Sequence, residues 1–306
     1  MAVPAVYKKT RIAPTPSGYL HLGNILSFAI TATLAKQTKA ATMLRIDDLD
    51  RDRAAPEYIQ DIFDTLEFLD IPWAEGPKSF DEYQSDFSQL HRLYLYNAAL
   101  EQLRPYVFAC NCSRAQIARQ STNGAYPGTC LHKNIPLDTD GVSWRLITDN
   151  RAITIRDKQD VLPADMQYFV VRKKDGYPAY QLSSVIDDQH FGIDLIVRGL
   201  DLWNSTLAQL YLSSLLPGNT FHQTQFYHHP LLLEKDGGKL SKSAGSTSIQ
   251  FLRNEGKSAA DVYTMIANRL GGQSAVNWEE LGQWLLSIAS PVAPGNHSAR
   301  ESVYRP

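Results

Sequence analysis

Apolar residues recur along this chain in alternating strand and helix rhythms. TRIAP (10–14) reads as a short strand ending at Pro14, and ATMLRI (41–46) as a second. Between them, NILSFAITATLAK (24–36) carries Ile25, Leu26, Ala29, Ile30, Ala32 and Leu34, mostly on one face of a helix. Pro56 opens a helix running to Asp70, with Ile59, Ile62, Phe63, Leu66 and Leu69 at three/four spacing. Strand–helix–strand–helix order implies a parallel sheet with right-handed connections. The pattern then predicts one long helix over 83–103. Residues 106–175 break the rhythm. The strand candidates SWRLI, AITIRD and YFVVRK stand there between turn residues, as in an inserted α+β segment. Alternation resumes with DLIVRG (194–199), a helix from about Ser205 to Leu216 capped by Asn204 or Ser205, and the strand candidate QFYHHPLLL. After Ser248 the chain reads as helical, through SAADVYTMIANRL and NWEELGQWLLSIA, and its last residues are expected to fray.

Composition narrows the function classes. With 306 residues, 43% hydrophobic and 20% charged, the chain suits one large domain or two smaller ones. A net charge of −2 supplies no global basic field, so any nucleic-acid contact needs a local patch. No apolar run reaches membrane-spanning length, and MAVPAVYKKT lacks the apolar core of a signal peptide. The expectation is a cytoplasmic monomer with no membrane partner. Cys110, Cys112 and Cys130 are the three cysteines. An odd, clustered set without a secretion signal argues against a disulfide framework and for a metal. Three thiolates need one more ligand for tetrahedral zinc. Tyr126 and His132 are the candidates, and a phenol's intrinsic pKa of about 10 favours His132.

Two polar stretches carry chemistry. In APTPSGYLHLGN (13–24), Pro14 and Pro16 take the chain out of the sheet, while Gly18 and Gly23 permit positive φ or close backbone approach. The helix that follows presents unpaired N–H groups and the positive end of its dipole, a ready phosphate site. His21, placed there, can donate to an oxygen that gains charge. In EKDGGKLSKS (234–243), glycines flank Lys239 and Lys242, predicting a loop that can close onto a polyphosphate. One well-placed donor to a transition-state charge is worth roughly 3–4 kcal/mol.

Together, HLGN and KLSKS resemble the HIGH and KMSKS signatures of class I aminoacyl-tRNA synthetases. RIAPTPSGYLHLGN followed by LRIDDLDRDR, and GYPAYQLSSVIDDQHFGIDLIVRGLDLWNST at 176–206, are similar to the glutamyl-tRNA synthetase catalytic domain. The resemblance spans about residues 9–250. It implies an α/β fold: a class I synthetase Rossmann-like parallel sheet with an inserted α+β zinc-containing subdomain and a short helical C-terminal segment. The implied divisions are 1–105 and 176–248 for the two catalytic halves, 106–175 for the insertion and 249–306 for the last segment. The implied reaction is adenylation of glutamate by ATP with Mg²⁺. By resemblance, His21, Gly23, Asn24, Lys239 and Lys242 would hold ATP, with His21, Lys239 and Lys242 catalytic. Arg11, Ala13, Thr15, Asp47, Tyr180 and Arg198 would bind L-glutamate. The family usually has Glu at the Asp47 position, a side chain longer by about 1.5 Å. Ser184 is a second departure, where tRNA-charging relatives often carry Asn.

A narrower likeness points to the subfamily that activates glutamate without tRNA and attaches it to queuosine at the wobble position of tRNA(Asp). It rests on RGLDLWNST, on the Cys-x-Cys and Tyr-x₃-Cys spacings, and on the 63 residues after Ser243, too few for an anticodon-binding region. It implies Zn²⁺ held by Cys110, Cys112, Tyr126 and Cys130, with Tyr126 in place of His132. The implied partners are L-glutamate and tRNA(Asp) carrying queuosine. Charging of a tRNA 3′ end, and non-catalytic binding of glutamate or its adenylate, are the alternative readings.

Overall fold

The computed structural model describes residues 6–121, 125–155, 158–232 and 248–288. In chain order its elements are β1 (Lys9–Ile12), α1 (Leu22–Thr38), β2 (Ala41–Leu44), α2 (Pro56–Phe68), the single turn α3 (Phe80–Glu82), α4 (Leu93–Leu103), β3 (Val107–Cys110), α5 (Arg114–Gln120), β4 (Ser143–Leu146), β5 (Ile153–Ile155), β6 (Lys158–Asp160), β7 (Val170–Arg172), α6 (Tyr180–His190), β8 (Leu195–Gly199), α7 (Trp203–Ser213), β9 (Gln225–His229), α8 (Ile249–Asn254), α9 (Ala259–Arg269) and α10 (Trp278–Ile288). No helix among the described residues is long and apolar enough to cross a membrane.

The chain forms two compact units. The first takes the described residues of Met1–Ser88, Leu195–Leu200 and Gln225–Pro306. Its sheet has the order β2-β1-β8-β9, and every pair in it is parallel. The parallel sheet predicted from strand–helix alternation is therefore present. Its core joins Ile12 and Leu44 of the strands to Leu22, Ile25, Leu26 and Ile30 of α1, Ile62 and Leu66 of α2, Val262 and Ile266 of α9, and Leu281 and Leu285 of α10.

The expectation of a one-faced α1 is corrected. Phe28, Ala29, Ile30, Thr31, Ala32 and Thr33 are all buried, so the helix is covered around its circumference. The reason is α10, which lies against α1 through Gly282, and Lys36 Nζ closes the edge with a 2.7 Å bond to Glu279 Oε1. A helix packed on both sides has no polar stripe for periodicity to reveal.

The second unit comprises the described residues of Gln89–Asp194 and Asp201–Thr224. It holds the antiparallel sheet β3-β4-β7, the hairpin β5-β6, and α4 to α7. Asp187 on α6 is fully buried and accepts from Arg92 Nε (3.0 Å), Tyr96 Oη (2.7 Å) and Gln89 Nε2 (2.9 Å), which binds α6 to α4. An unpaired charge at that depth would be costly, so these donors come with the carboxylate.

Three local expectations change. The helix predicted over 83–103 is broken: a π-turn covers Tyr83–Phe87, Ser88 is extended (φ −56°, ψ 141°), a 3₁₀ turn covers Gln89–Arg92, and α4 starts at Leu93. Ser88 leaves the helix because its hydroxyl donates to Asp48 at 2.5 Å. Helix α7 starts at Trp203 without a side-chain cap, because the Asn204 amide is spent on both Asp165 oxygens at 3.0 Å and Ser205 accepts from Gln181. Helix α5, unassigned from periodicity, carries a legible signal in its Ser113–Gln116 capping box.

Gly282 is where α10 touches α1. A Cβ there would overlap Thr33 Oγ1 and lie 2.9 Å from the Ala29 carbonyl oxygen. Gly282→Ala is expected to destabilise the protein by about 1–3 kcal/mol through overpacking, despite alanine's better helix propensity. Denaturant unfolding checks this, and a neutral or stabilising result would remove the contact as a constraint.

Candidate active site and metal centre

Strand β1 does not stop communicating with β2 where the strands end. Arg45 N–H donates to the Ile12 carbonyl and Asp47 N–H to the Pro14 carbonyl, both at 2.9 Å. The two chains thus stay in register past the carboxyl edge of the sheet, which puts Arg11, Ala13, Thr15, Arg45 and Asp47 there. In open parallel sheets that edge is where ligands bind.

The turn after β1 ends in an unusual cap. His21 (φ −122°, ψ 170°) is the N-cap of α1, and its Nδ1 accepts the Gly23 N–H at 3.0 Å. Asn24 Oδ1 accepts the His21 N–H at 3.0 Å and completes a capping box. Asn24 therefore has a local structural reason to occupy its position. Because Nδ1 accepts, the neutral ring carries its proton on Nε2, which makes Nε2–H a donor. Gly23 is required by contact, since a Cβ there would lie 2.9 Å from His21 Cε1. A Cβ at Gly18 would meet nothing within 4 Å, so close approach is not what Gly18 provides.

Arg11 and Arg198 are both buried, on the adjacent strands β1 and β8. Arg11 Nη1 reaches the Val197 carbonyl at 3.5 Å, and the Arg198 guanidinium lies 4.9 Å from the Phe226 ring centre. Asp47 is held by a residue that sequence reasoning missed. Arg45 Nε and Nη2 donate to its two oxygens at 2.7 and 3.1 Å, a bidentate pair with the side chains only 2% and 9% exposed. The signal was available: positions 45 and 47 flank one residue on an extended chain, so their side chains share a face. The neighbouring Asp48 accepts from Tyr83 Oη (2.7 Å) and from Ser88. Burial first, then the Asp48 charge, pushes the Tyr83 phenol well above its ordinary range.

The first unit thus brings Arg11, Ala13, Thr15, His21, Gly23, Asn24, Asp47 and Arg198 to one edge. Tyr180 opens α6 in the second unit, 41% exposed. Lys239 and Lys242 lie outside the described residues.

The second unit gathers the cysteines. The sulfurs of Cys110, Cys112 and Cys130 all lie within 4.8 Å of one another, a group that could hold a metal ion. Tyr126 Oη accepts from Cys110 Sγ at 3.3 Å and from the Cys130 N–H at 2.9 Å, so the phenolic oxygen lies beside the cysteine cluster as a fourth candidate ligand. His132 is exposed and outside this group. Three soft thiols and one phenolic oxygen, converging in a partly buried pocket, suit a tetrahedral site for zinc. Burial alone would raise the Cys110 thiol. Hydrogen bonds from Tyr126, the Cys112 backbone and Arg145 outweigh it and bring it down to about 7. Cys112, desolvated and beside two other thiols, is pushed up to about 11.

The family model for tRNA synthetases class I (E and Q), catalytic domain, matches residues 8–282. The chain belongs to that family. It is 35% identical over 245 residues to a glutamyl-Q tRNA(Asp) synthetase of Pseudomonas putida, covering 78% of this chain and 77% of that protein. It is 32% identical over 269 residues to glutamate–tRNA ligase 2 of Nitrosococcus oceani, covering 81% of this chain but 56% of the ligase. Among solved structures, a glutamate–tRNA synthetase of Elizabethkingia anophelis superposes with a TM-score of 0.71 at 21% identity, over 90% of this chain and 65% of that one. The shared fold is the class I synthetase α/β architecture.

Arg45→Gln would leave the Asp47 charge buried without its bidentate partner. The expected loss is about 3–5 kcal/mol of stability. The double variant Arg45→Met with Asp47→Leu should recover most of it. Urea unfolding of the three proteins checks the pair, and equal losses in single and double variants would refute it.

Proposed function

We propose that this chain activates L-glutamate with ATP in the absence of tRNA and transfers the glutamyl group to queuosine at the wobble position of tRNA(Asp). The observation that carries the first step is the placement of two buried guanidinium groups, Arg11 and Arg198, at the carboxyl edge of the sheet from which the His21-capped helix departs. The choice of queuosine is supported by the name of the P. putida relative, matched over most of its own length.

In the first step a glutamate α-carboxylate oxygen attacks the α-phosphorus of ATP. The bond from that phosphorus to the bridging oxygen breaks, and pyrophosphate leaves. Arg11 and Arg198 hold substrate carboxylate, a task their planar forks suit. Asp47, oriented by Arg45, receives the ammonium. His21 Nε2–H and the first turn of α1 meet phosphate oxygens. Mg²⁺ entering with ATP would share the phosphate charge. Lys239 and Lys242 neutralise the departing pyrophosphate. Ser248, six residues after Lys242 in the sequence, is bridged to His21. In the second step a hydroxyl of the queuosine ring attacks the glutamyl carbonyl. An ester forms and AMP leaves, with no covalent enzyme intermediate. Cys110, Cys112, Tyr126 and Cys130 would hold a structural zinc that ties the insertion together.

Glutamate-dependent ATP–pyrophosphate exchange is expected without tRNA, and exchange that appears only with tRNA would count against this reading. Labelled glutamate should enter tRNA(Asp) that bears queuosine but lacks its 3′-terminal adenosine. Label that requires the 3′ adenosine and ignores queuosine would replace this acceptor with ordinary charging.

Gly23→Ala pushes the His21 ring from its cap, so adenylate formation should fall on the order of 10²-fold, with a smaller change in ATP binding. Lys242→Ala should show the same split. Equal effects on rate and binding, read by single-turnover kinetics and ATP titration, would deny either residue a transition-state role.

A further inference from the structure

Arg145 is a buried charged group in the second unit whose position the reaction does not explain. It is buried, 9% exposed, on β4. Among the described residues no carboxylate pairs with it, and its Nε has no hydrogen-bond partner. Its Nη1 donates to the Tyr168 carbonyl at 2.8 Å. A buried guanidinium without a counter-charge is costly, so a fold that keeps one has negative charge nearby.

The register of the sheet shows where that charge would be. Phe108 stands opposite Arg145 and Cys110 opposite Ser143 in the β3–β4 pair. Directly opposed residues share a face, and so do residues two apart, so Arg145 and Cys110 project on the same side. The Arg145 guanidinium lies 3.8 Å from the centre of the Tyr126 ring. Tyr126 also stacks on Phe108, with ring centres 6.3 Å apart and planes at 24°. The phenol whose oxygen meets Cys110 and the Cys130 N–H is thus packed by an aromatic ring and a cation.

We propose that Arg145 is the counter-cation and positioning residue of the Cys110–Cys112–Tyr126–Cys130 site. This rests on the zinc reading above. Three thiolates around a divalent ion leave an excess negative charge even before the tyrosine oxygen is counted. Arg145 supplies the opposite charge at the one ligand that is chemically weakest, and its face fixes the Tyr126 ring so that the oxygen stays directed at the sulfurs. Groups that orient ligands in this way typically change metal affinity by about 10–100-fold when removed.

The test uses the full chain, with Arg145→Met, which keeps bulk without charge, and Arg145→Lys, which keeps charge without the planar fork. Zinc affinity is read by competition with a chromogenic chelator, zinc content by elemental analysis, and folding of metal-free and zinc-loaded forms by circular dichroism melts. Arg145→Met should bind zinc on the order of 10–100-fold more weakly, and Arg145→Lys should recover part of that loss. Should Arg145→Met fail to fold, Arg145→Gln takes its place with the same expectation. If the neutral variant folds and binds zinc as tightly as the unaltered chain, Arg145 is a packing residue and the proposal is overturned. If the unaltered chain takes up no zinc at all, the metal reading fails first and this inference with it.

Discussion

The hydrogen bond from the Gly23 N–H to His21 Nδ1 is the constraint on which the first unit turns. Helix α1 is buried around its body, so its end must be satisfied locally or left with stranded backbone donors. A histidine cap does this with one ring nitrogen and leaves the other to act as a donor. Asn24 closes the reciprocal bond, and the absence of a side chain at residue 23 gives the ring its room. The same few atoms therefore end a helix and fix a tautomer at the turn where the chain leaves the sheet.

Buried charge is handled in three distinct ways. Asp187 is surrounded by three donors and stabilises the packing of α4 on α6. Asp47 is paired side-on by Arg45, which holds a short carboxylate in one orientation in place of the longer reach of glutamate. Arg11 and Arg198 have a carbonyl and an aromatic ring among their neighbours, partners that lower the cost of burial.

Arg145 extends the distinction to the second unit. It lies against a phenol ring and a backbone carbonyl, on the strand paired with that of Cys110. The cysteine pocket is therefore an electrostatic unit that includes a strand residue fifteen positions beyond Cys130 in the chain. Sheet register creates that proximity, because Arg145 and Cys110 belong to opposite strands of one pair.

Local chemistry was readable from the chain alone. Strand β1, helix α2 with Pro56 at its start, the parallel order, the strand-to-helix corner at 13–24 and the cysteine cluster all follow from spacing and residue type, because these features are set by neighbours a few positions away. The choice between Tyr126 and His132 was open from intrinsic basicity. Folding leaves His132 exposed and places the Tyr126 oxygen beside Cys110 and Cys130. The break at Ser88, the burial of α1 on all sides and the pairing of Arg45 with Asp47 were decided by tertiary structure. A hydroxyl drawn to Asp48, a second helix arriving through Gly282 and a sheet edge that excludes water are interactions between distant or newly enclosed parts of the chain, and hydrophobic periodicity carries no record of them.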